Sequence, residues 1–316
     1  AKTSAVKSLQ ASPADEPPAH IGEVADALAR LRSRSLRLSG GMRGRRPRVL
    51  VIGETGRSGQ PPVVAAAFRD AGADVATCDL KPSEHELTPN LSAIPHFQGD
   101  AADIQDLGWD LVIGHPPCTY LANSGVSWLY KDPHRWSHVL QNAALFRRIY
   151  AAKAPFVAVE NSKMHRYARS LVQVTPTQYV HPWQHGHGHT KPTALYLRNL
   201  PPINPTKIVE GREHALARLP PSEDRAEKRS CTYPGIAAAF ATQWMPVLLD
   251  YTGTQASDGL TASELVTLAA QQELKDVVQI AFTRKDAFGA TQVVAHQRGG
   301  QRRAVQPDAV RGGAAH

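Results

Sequence analysis

A mostly parallel α/β sheet with helices on both faces and an antiparallel hairpin at its edge is the fold class this sequence predicts. Three observations point to it. Short apolar runs of the buried-strand type recur at 49–52, 74–78, 111–113 and 156–159. Segments with helical spacing of apolar residues lie between them, at 63–71 and 134–152. Polar and glycine-bearing strings follow several of the runs directly, where an open parallel sheet binds its ligands.

Taken in order, residues 1–20 are rich in Ser, Pro, Asp and Glu and read as disordered. Ile21, Val24, Ala25, Leu28 and Leu31 carry helical spacing, which predicts a short helix. Arg30, Arg32, Arg34, Arg37, Arg43, Arg45, Arg46 and Arg48 follow with no acid among them, and equal the whole formal excess of +8. Such an arm binds nucleic acid by neutralising phosphates, or serves only as a solvated tail. The strand at 49–52 leads into Gly53-Glu54-Thr55-Gly56, and the helix at 63–71 closes at Gly72. The strand at 74–78 ends on Asp79, and His96-Phe97-Gln98-Gly99 ends a third strand before Asp100. The strand at 111–113 runs into Gly114-His115-Pro116-Pro117-Cys118, and that at 156–159 is bounded by Pro155 and Glu160-Asn161.

Beyond this point 177–180 and 193–197 read as strands flanking a His/Gly turn, an antiparallel addition to the sheet edge. Helices are expected at 209–216 and 234–248, the second opening on Pro234 with Thr232 as cap. Residues 252–259 read as a linker, 260–278 as a helix in a separate appendage, and 297–316 as a second Arg/Gly-rich disordered tail. The expected organisation is an arm (1–46), a catalytic domain (47–251) and a linker, helix and basic tail (252–316).

Composition bounds the function. The 316 residues are 42% hydrophobic and 20% charged, values of a globular chain and not of a wholly disordered one. No window approaches the roughly 20 apolar residues of a membrane helix, and the polar first 20 residues lack a secretory core. Cysteines at 78, 118 and 231 form neither a metal spacing nor an even disulfide set, which fits a reducing cytoplasm.

Gly53 permits a tight turn and close backbone approach, while Asp79 and Asp100 end neighbouring strands where acids meet ribose hydroxyls; N-cap or turn roles would use the same acids. Two prolines place Cys118 just past one strand end, and Glu160 leaves the next, so a thiol and a carboxyl group project toward one cleft. That pairing suits nucleophilic attack on a ring whose nitrogen must be protonated.

Pro116-Pro117-Cys118 and Glu160-Asn161 resemble the two catalytic signatures of the C5-cytosine DNA methyltransferases. The fuller strings are closest to short phage-encoded members. They include Cys78-Asp79-Leu80, Gln98-Gly99-Asp100, His115-Pro116-Pro117-Cys118-Thr119-Tyr120-Leu121, Val159-Glu160-Asn161, Gly186-His187-Gly188, Thr190-Lys191 and Thr232-Tyr233-Pro234-Gly235. The resemblance covers about residues 48–248 and implies a Rossmann-like class I methyltransferase fold. It implies that Cys118 attacks C6 of cytosine as thiolate, Glu160 protonates or hydrogen-bonds N3, and Asn161 holds the loop. S-adenosylmethionine would be held by Gly53, Glu54, Asp79, Asp100 and Pro117. His187 would be the active-site histidine, and Lys191 or Arg229 would supply positive charge near the pyrimidine O2.

The sequence departs from the family pattern in several places. Thr119 replaces the usual Gln, Ser162 follows Glu160-Asn161, and no Gln-x-Arg-x-Arg string is present. Only 30 positions separate Asn199 from Arg229, too few for a large target-reading domain. His181, His185, His187 and His189 alternate, yet no carboxylate or cysteine completes a metal set, so no metal is expected. The expected partner is DNA, reached through the basic arms, in the cytoplasm of a bacterial host. Two rivals remain: the same chemistry on free nucleotide or RNA, and a non-catalytic nucleic-acid-binding protein on the same fold.

Overall fold

The computed structural model describes residues 45–56, 61–83, 94–214, 220, 229, 231–252 and 260–273. The expected helix at 21–31, Arg30 to Arg43 of the arm, and the tail at 297–316 lie outside the described residues.

Strand β1 (Arg48–Ile52) is buried along its whole length. Val49 and Val51 enter the core on one face of the sheet, Leu50 and Ile52 that on the other. A central strand covered on both faces needs apolar residues at successive positions, which is why it reads as a continuous run. Around it lie β2 (Asp74–Asp79), β3 (His96–Gln98), β4 (Leu111–Gly114), β5 (Phe156–Ser162), β6 (Gln178–Val180) and β7 (Thr193–Arg198). The sheet order is β3-β2-β1-β4-β5-β7-β6. Strands β1 to β5 pair in parallel, and β7 runs antiparallel to both β5 and β6. This is the Rossmann-like sheet with an antiparallel edge hairpin that the sequence predicts. Its switch point lies at β1, whose neighbours β2 and β4 are reached by crossovers in opposite directions.

Helices α1 (Val63–Asp70) and α4 (Pro234–Thr252) cover one face, where Phe68, Phe240, Trp244 and Leu248 pack over Val49, Val51 and Ile113. Helices α2 (Arg135–Tyr150) and α3 (Arg166–Val172) cover the other, with Phe146, Ile149 and Ala168 over Leu50, Val112 and Val157. Each fully buried side chain of this size contributes roughly 1.5–3 kcal/mol, so the two cores together hold the sheet.

Four expectations are corrected. The helix at 262–273, α5, is no detached appendage: Ala262, Leu265 and Ala269 are buried in the second core beside Trp109 and Ile104. The Asp74 carboxylate accepts the Ala262 N–H at 2.7 Å, and Thr261 and Glu264 close a capping box, so the start of α5 is tied to β2. Residues 209–214 form no helix, because their backbone groups pair with the His-rich loop: Val209 N–H donates to Trp183 O and Glu213 N–H to Gly188 O. Residues 215 and 216 of that expected helix lie outside the described residues. Strand β5 does not stop at Val159; pairing with β7 carries it through Glu160, Asn161 and Ser162.

The fourth correction concerns the arginine arm, whose last three members are structural. Arg45 grips the buried Asp110 carboxylate with both terminal nitrogens, at 2.5 and 2.8 Å, and the Arg48 N–H donates to it at 2.7 Å. Arg46 donates to the Gly72 and Ala73 carbonyls, and the guanidinium of buried Arg48 to Leu260 O. These cations seat β1 and are not available to phosphates.

Candidate active site

Alternation along β5 decides what each side chain meets. Val157 and Val159 point to the face of α2 and Ala158 to that of α1 and α4. Asn161 therefore shares the Val159 face and Glu160 the Ala158 face.

On the first of these faces, buried Asn161 donates from Nδ2 to the Pro116 carbonyl at 2.8 Å. That bond ties β5 to the Pro116-Pro117-Cys118 turn after β4. Past the cysteine, Leu121 N–H and Ala122 N–H both donate to the Cys118 carbonyl, at 3.0 and 2.8 Å. The chain then pairs with the continuation of β5: Asn123 N–H donates to Lys163 O, and His165 N–H to Leu121 O. Cys118 is half-exposed on a loop fixed at both ends. Asn161 thus links the end of β5 to the backbone just before the cysteine.

Glu160 meets a different set. Its Oε2 lies 3.1 Å from His115 Nδ1 and accepts the Thr232 hydroxyl at 2.8 Å. Burial pushes the Glu160 carboxyl up, but the His115 hydrogen bond and charge, Lys191 and Thr232 outweigh burial and hold it at about 2. Burial pulls His115 down, and Glu160 and Glu54 outweigh that and raise it. Both shifts favour the charged forms, carboxylate and imidazolium. His115 is the candidate residue that sequence reasoning missed; its signal was its place between the strand end and Pro116.

Glu54 accepts N–H groups of Val64 and Ala65 at 2.9 and 3.1 Å and so caps α1. Burial raises its carboxyl above the ordinary carboxylate range, and the charge of His115 opposes that. Its backbone bonds make it a helix anchor beside His115. Gly53 has φ +84, and a Cβ there would stand 2.6 Å from the His115 carbonyl oxygen. The glycine is needed for the close approach of β1 and the His115 turn.

Lys191 donates to the Cys231 carbonyl at 2.9 Å and lends its charge to Glu160. His187 is buried, and its Nε2 accepts the Gly235 N–H at 3.2 Å at the start of α4, with Tyr233 against its ring at 5.0 Å. Its observed contacts position the 231–235 segment, and with it Thr232. Thr232, expected to cap α4, instead donates to Glu160. Arg229 is exposed, and no described contact joins it to Glu160. Trp183 has the Arg212 guanidinium over its ring at 3.8 Å. His185 pairs with Thr206 through Nδ1, and His189 lies against Tyr233. Among the described residues no group of three or more His, Cys, Asp or Glu is arranged to hold a metal ion.

Asp79 and Asp100 close β2 and β3 side by side. Asp79 Oδ1 accepts the Lys81 N–H at 2.9 Å. Asp100 Oδ1 accepts the Ala102 N–H at 2.9 Å, the N-cap alternative, and lies 3.2 Å from an Arg148 nitrogen. In each case one oxygen of the carboxylate serves the local turn. Exposed Leu80 beside them adds an apolar shelf.

No protein-family model and no curated protein matches the chain. Among solved structures, an E. coli prophage-encoded protein described as a candidate DNA modification methyltransferase aligns at a TM-score of 0.36 and 18% identity. The alignment covers 55% of each chain, so this chain spans about half of that structure. Among the described residues no helix is long and apolar enough to cross a membrane.

Proposed function

We propose that the chain is an S-adenosylmethionine-dependent methyltransferase acting at C5 of cytosine in DNA. The observation that carries this proposal is the cross-linking of two adjacent strand ends: Asn161 holds the cysteine turn while its neighbour Glu160 engages His115. A thiol and an acid pair then leave adjacent strand ends at the carboxyl edge of the sheet, where open α/β sheets bind their ligands.

The chemistry follows from those groups. C5 of cytosine is a poor nucleophile until a thiolate adds at C6. Cys118 forms that bond, and the displaced electron pair is shared between C5 and N3. N3 then needs a proton. Glu160 is ionised at rest, so the proton comes from His115, with Glu160 as the relay between ring and base. S-adenosylmethionine, when bound, supplies the electrophilic methyl group. Asp79 and Asp100 fit such a cofactor: each has a second carboxylate oxygen uncommitted among the described residues, at adjacent strand ends beside an apolar shelf. A base then takes the C5 proton, the double bond reforms as Cys118 leaves as thiolate, and N3 gives its proton back through Glu160 to His115.

Nucleosides hydrolysed from host DNA, with and without expression, give the direct test by mass spectrometry. Expression should add 5-methylcytosine, and an oligonucleotide containing 5-fluorocytosine should trap wild type covalently. Cys118→Ser should form no adduct and no 5-methylcytosine; full activity in that variant would end the C5 assignment.

A further inference from the structure

The chain from Tyr120 to Ser170, which follows the cysteine turn, carries eight Lys or Arg residues and two acids. One acid is Glu160, buried in the site, and the other, Asp132, accepts the His134 N–H at the start of α2. The formal excess along this stretch is therefore six positive charges, one of which, Arg148, is paired with Asp100 outside it.

Aromatic side chains interleave with these cations. Trp128 is 54% exposed and Tyr130 67% exposed, on the 3-10 segment Asn123–Tyr130. Lys131 stands 4.9 Å over the Trp128 ring, as residues three apart must in a 3-10 turn. Tyr130 meets Tyr167 hydroxyl to hydroxyl at 2.5 Å, and the Arg166 guanidinium lies 4.6 Å over Tyr167. Trp136 props Tyr167 from its edge at 5.0 Å. Both rings thus have a protein contact, Lys131 for Trp128 and Tyr167 for Tyr130, and still stand more than half exposed. The Leu121–His165 pairing joins both halves of the surface to the loop that carries Cys118.

We infer that this surface binds an unpaired stretch of nucleic acid beside the reacting base, with bases stacked on Trp128 and Tyr130 and phosphates against Lys131, Lys163 and Arg166. Exposed rings interleaved with cations match the two faces of a strand, its bases and its charged backbone. A membrane surface would use the cations and apolar rings but has no need of a Tyr130 hydroxyl anchored on Tyr167. A mononucleotide would use one stacking face, and this surface has two. The inference deepens the nucleic-acid part of the proposed function and chooses a polymer over a free nucleotide.

The test is a titration of the full chain with dye-labelled oligothymidylate about 12 nucleotides long, a length one binding fold can cover. It contains no cytosine, so binding is read apart from any C5 chemistry. Trp128→Ala and Tyr130→Ala should each weaken binding about tenfold without changing its salt dependence. Lys131→Gln and Arg166→Gln should each flatten the slope of log K against log salt by about 0.7, the value for one phosphate on a single strand. Ile208→Ala, an exposed aliphatic on another segment, should change nothing. Wild-type affinity in both aromatic variants would overturn the inference. So would anionic phospholipid vesicles bound with the same dependence on Trp128. Absence of 5-methylcytosine together with intact, Trp128-dependent strand binding would sink the C5 assignment and leave this surface standing.

Discussion

His115 sits between two carboxylates, and the direction of each shift sets a pH dependence. Its raised pKa means that the imidazolium's stabilisation is full below the ordinary 6.5 and is lost as pH climbs through the raised value. Glu160, lowered from 4.5 to about 2, contributes in full above 4.5 and loses that contribution as pH falls through about 2. The two overlap between about 4.5 and 6.5. Thermal melts of His115→Gln should lie furthest below wild type in that window, by about 3 kcal/mol, since a buried carboxylate is left without its cation. The gap should narrow at higher pH; a gap independent of pH would mean that His115 is merely packed there. Glu160→Gln keeps the shape but breaks the proton relay, so turnover should fall roughly 10²-fold.

Asp110, at the entry to β4, shows how single side chains fix whole elements. It holds Arg45 and the Arg48 N–H, and so sets β1 beside β4. Asp110→Asn should lower stability by about 3 kcal/mol in a denaturant melt, because Arg45 is largely buried and loses its anion. An unchanged midpoint would make the clamp ornamental. Elements of this sheet were legible in proportion to how local their causes are. Strands β1, β2, β4 and β5 carry their own apolar runs, and the cysteine turn announces itself through two prolines. The end of β5 did not, since only pairing with β7 extends it over Glu160 and Asn161. Nor did 209–214, whose backbone partners lie more than twenty residues away in the His-rich loop. Helix α5 was visible as a periodic segment, but the core it fills is built from residues 50 to 196. Glu54, Gly53 and His187 were legible as special positions, but the protein contacts they make were not. Each is satisfied by protein backbone that only the folded chain brings near.

For the molecule as a whole, Arg45, Arg46 and Arg48 are committed to the fold, so the phosphate-neutralising role proposed for the arm falls to Arg30, Arg32, Arg34, Arg37 and Arg43. Removing residues 1–44 should leave the melting midpoint near wild type and flatten the salt slope of duplex binding by several units, at about 0.9 per neutralised phosphate. The position methylated should not move, because phosphate contacts carry no base readout. An unaltered slope would assign duplex affinity elsewhere. Thiols divide in a similar way: Cys78 is buried, Cys118 half-exposed and Cys231 exposed. An alkylating reagent therefore reaches Cys231 first, one residue from the threonine that touches Glu160. Labelling stoichiometry alone would misidentify the nucleophile, and inactivation by such a reagent would report a bulky adduct wedged at the 231–235 segment. Covalent inhibitors screened against this protein would need a Cys231→Ser background before any hit could be credited to Cys118.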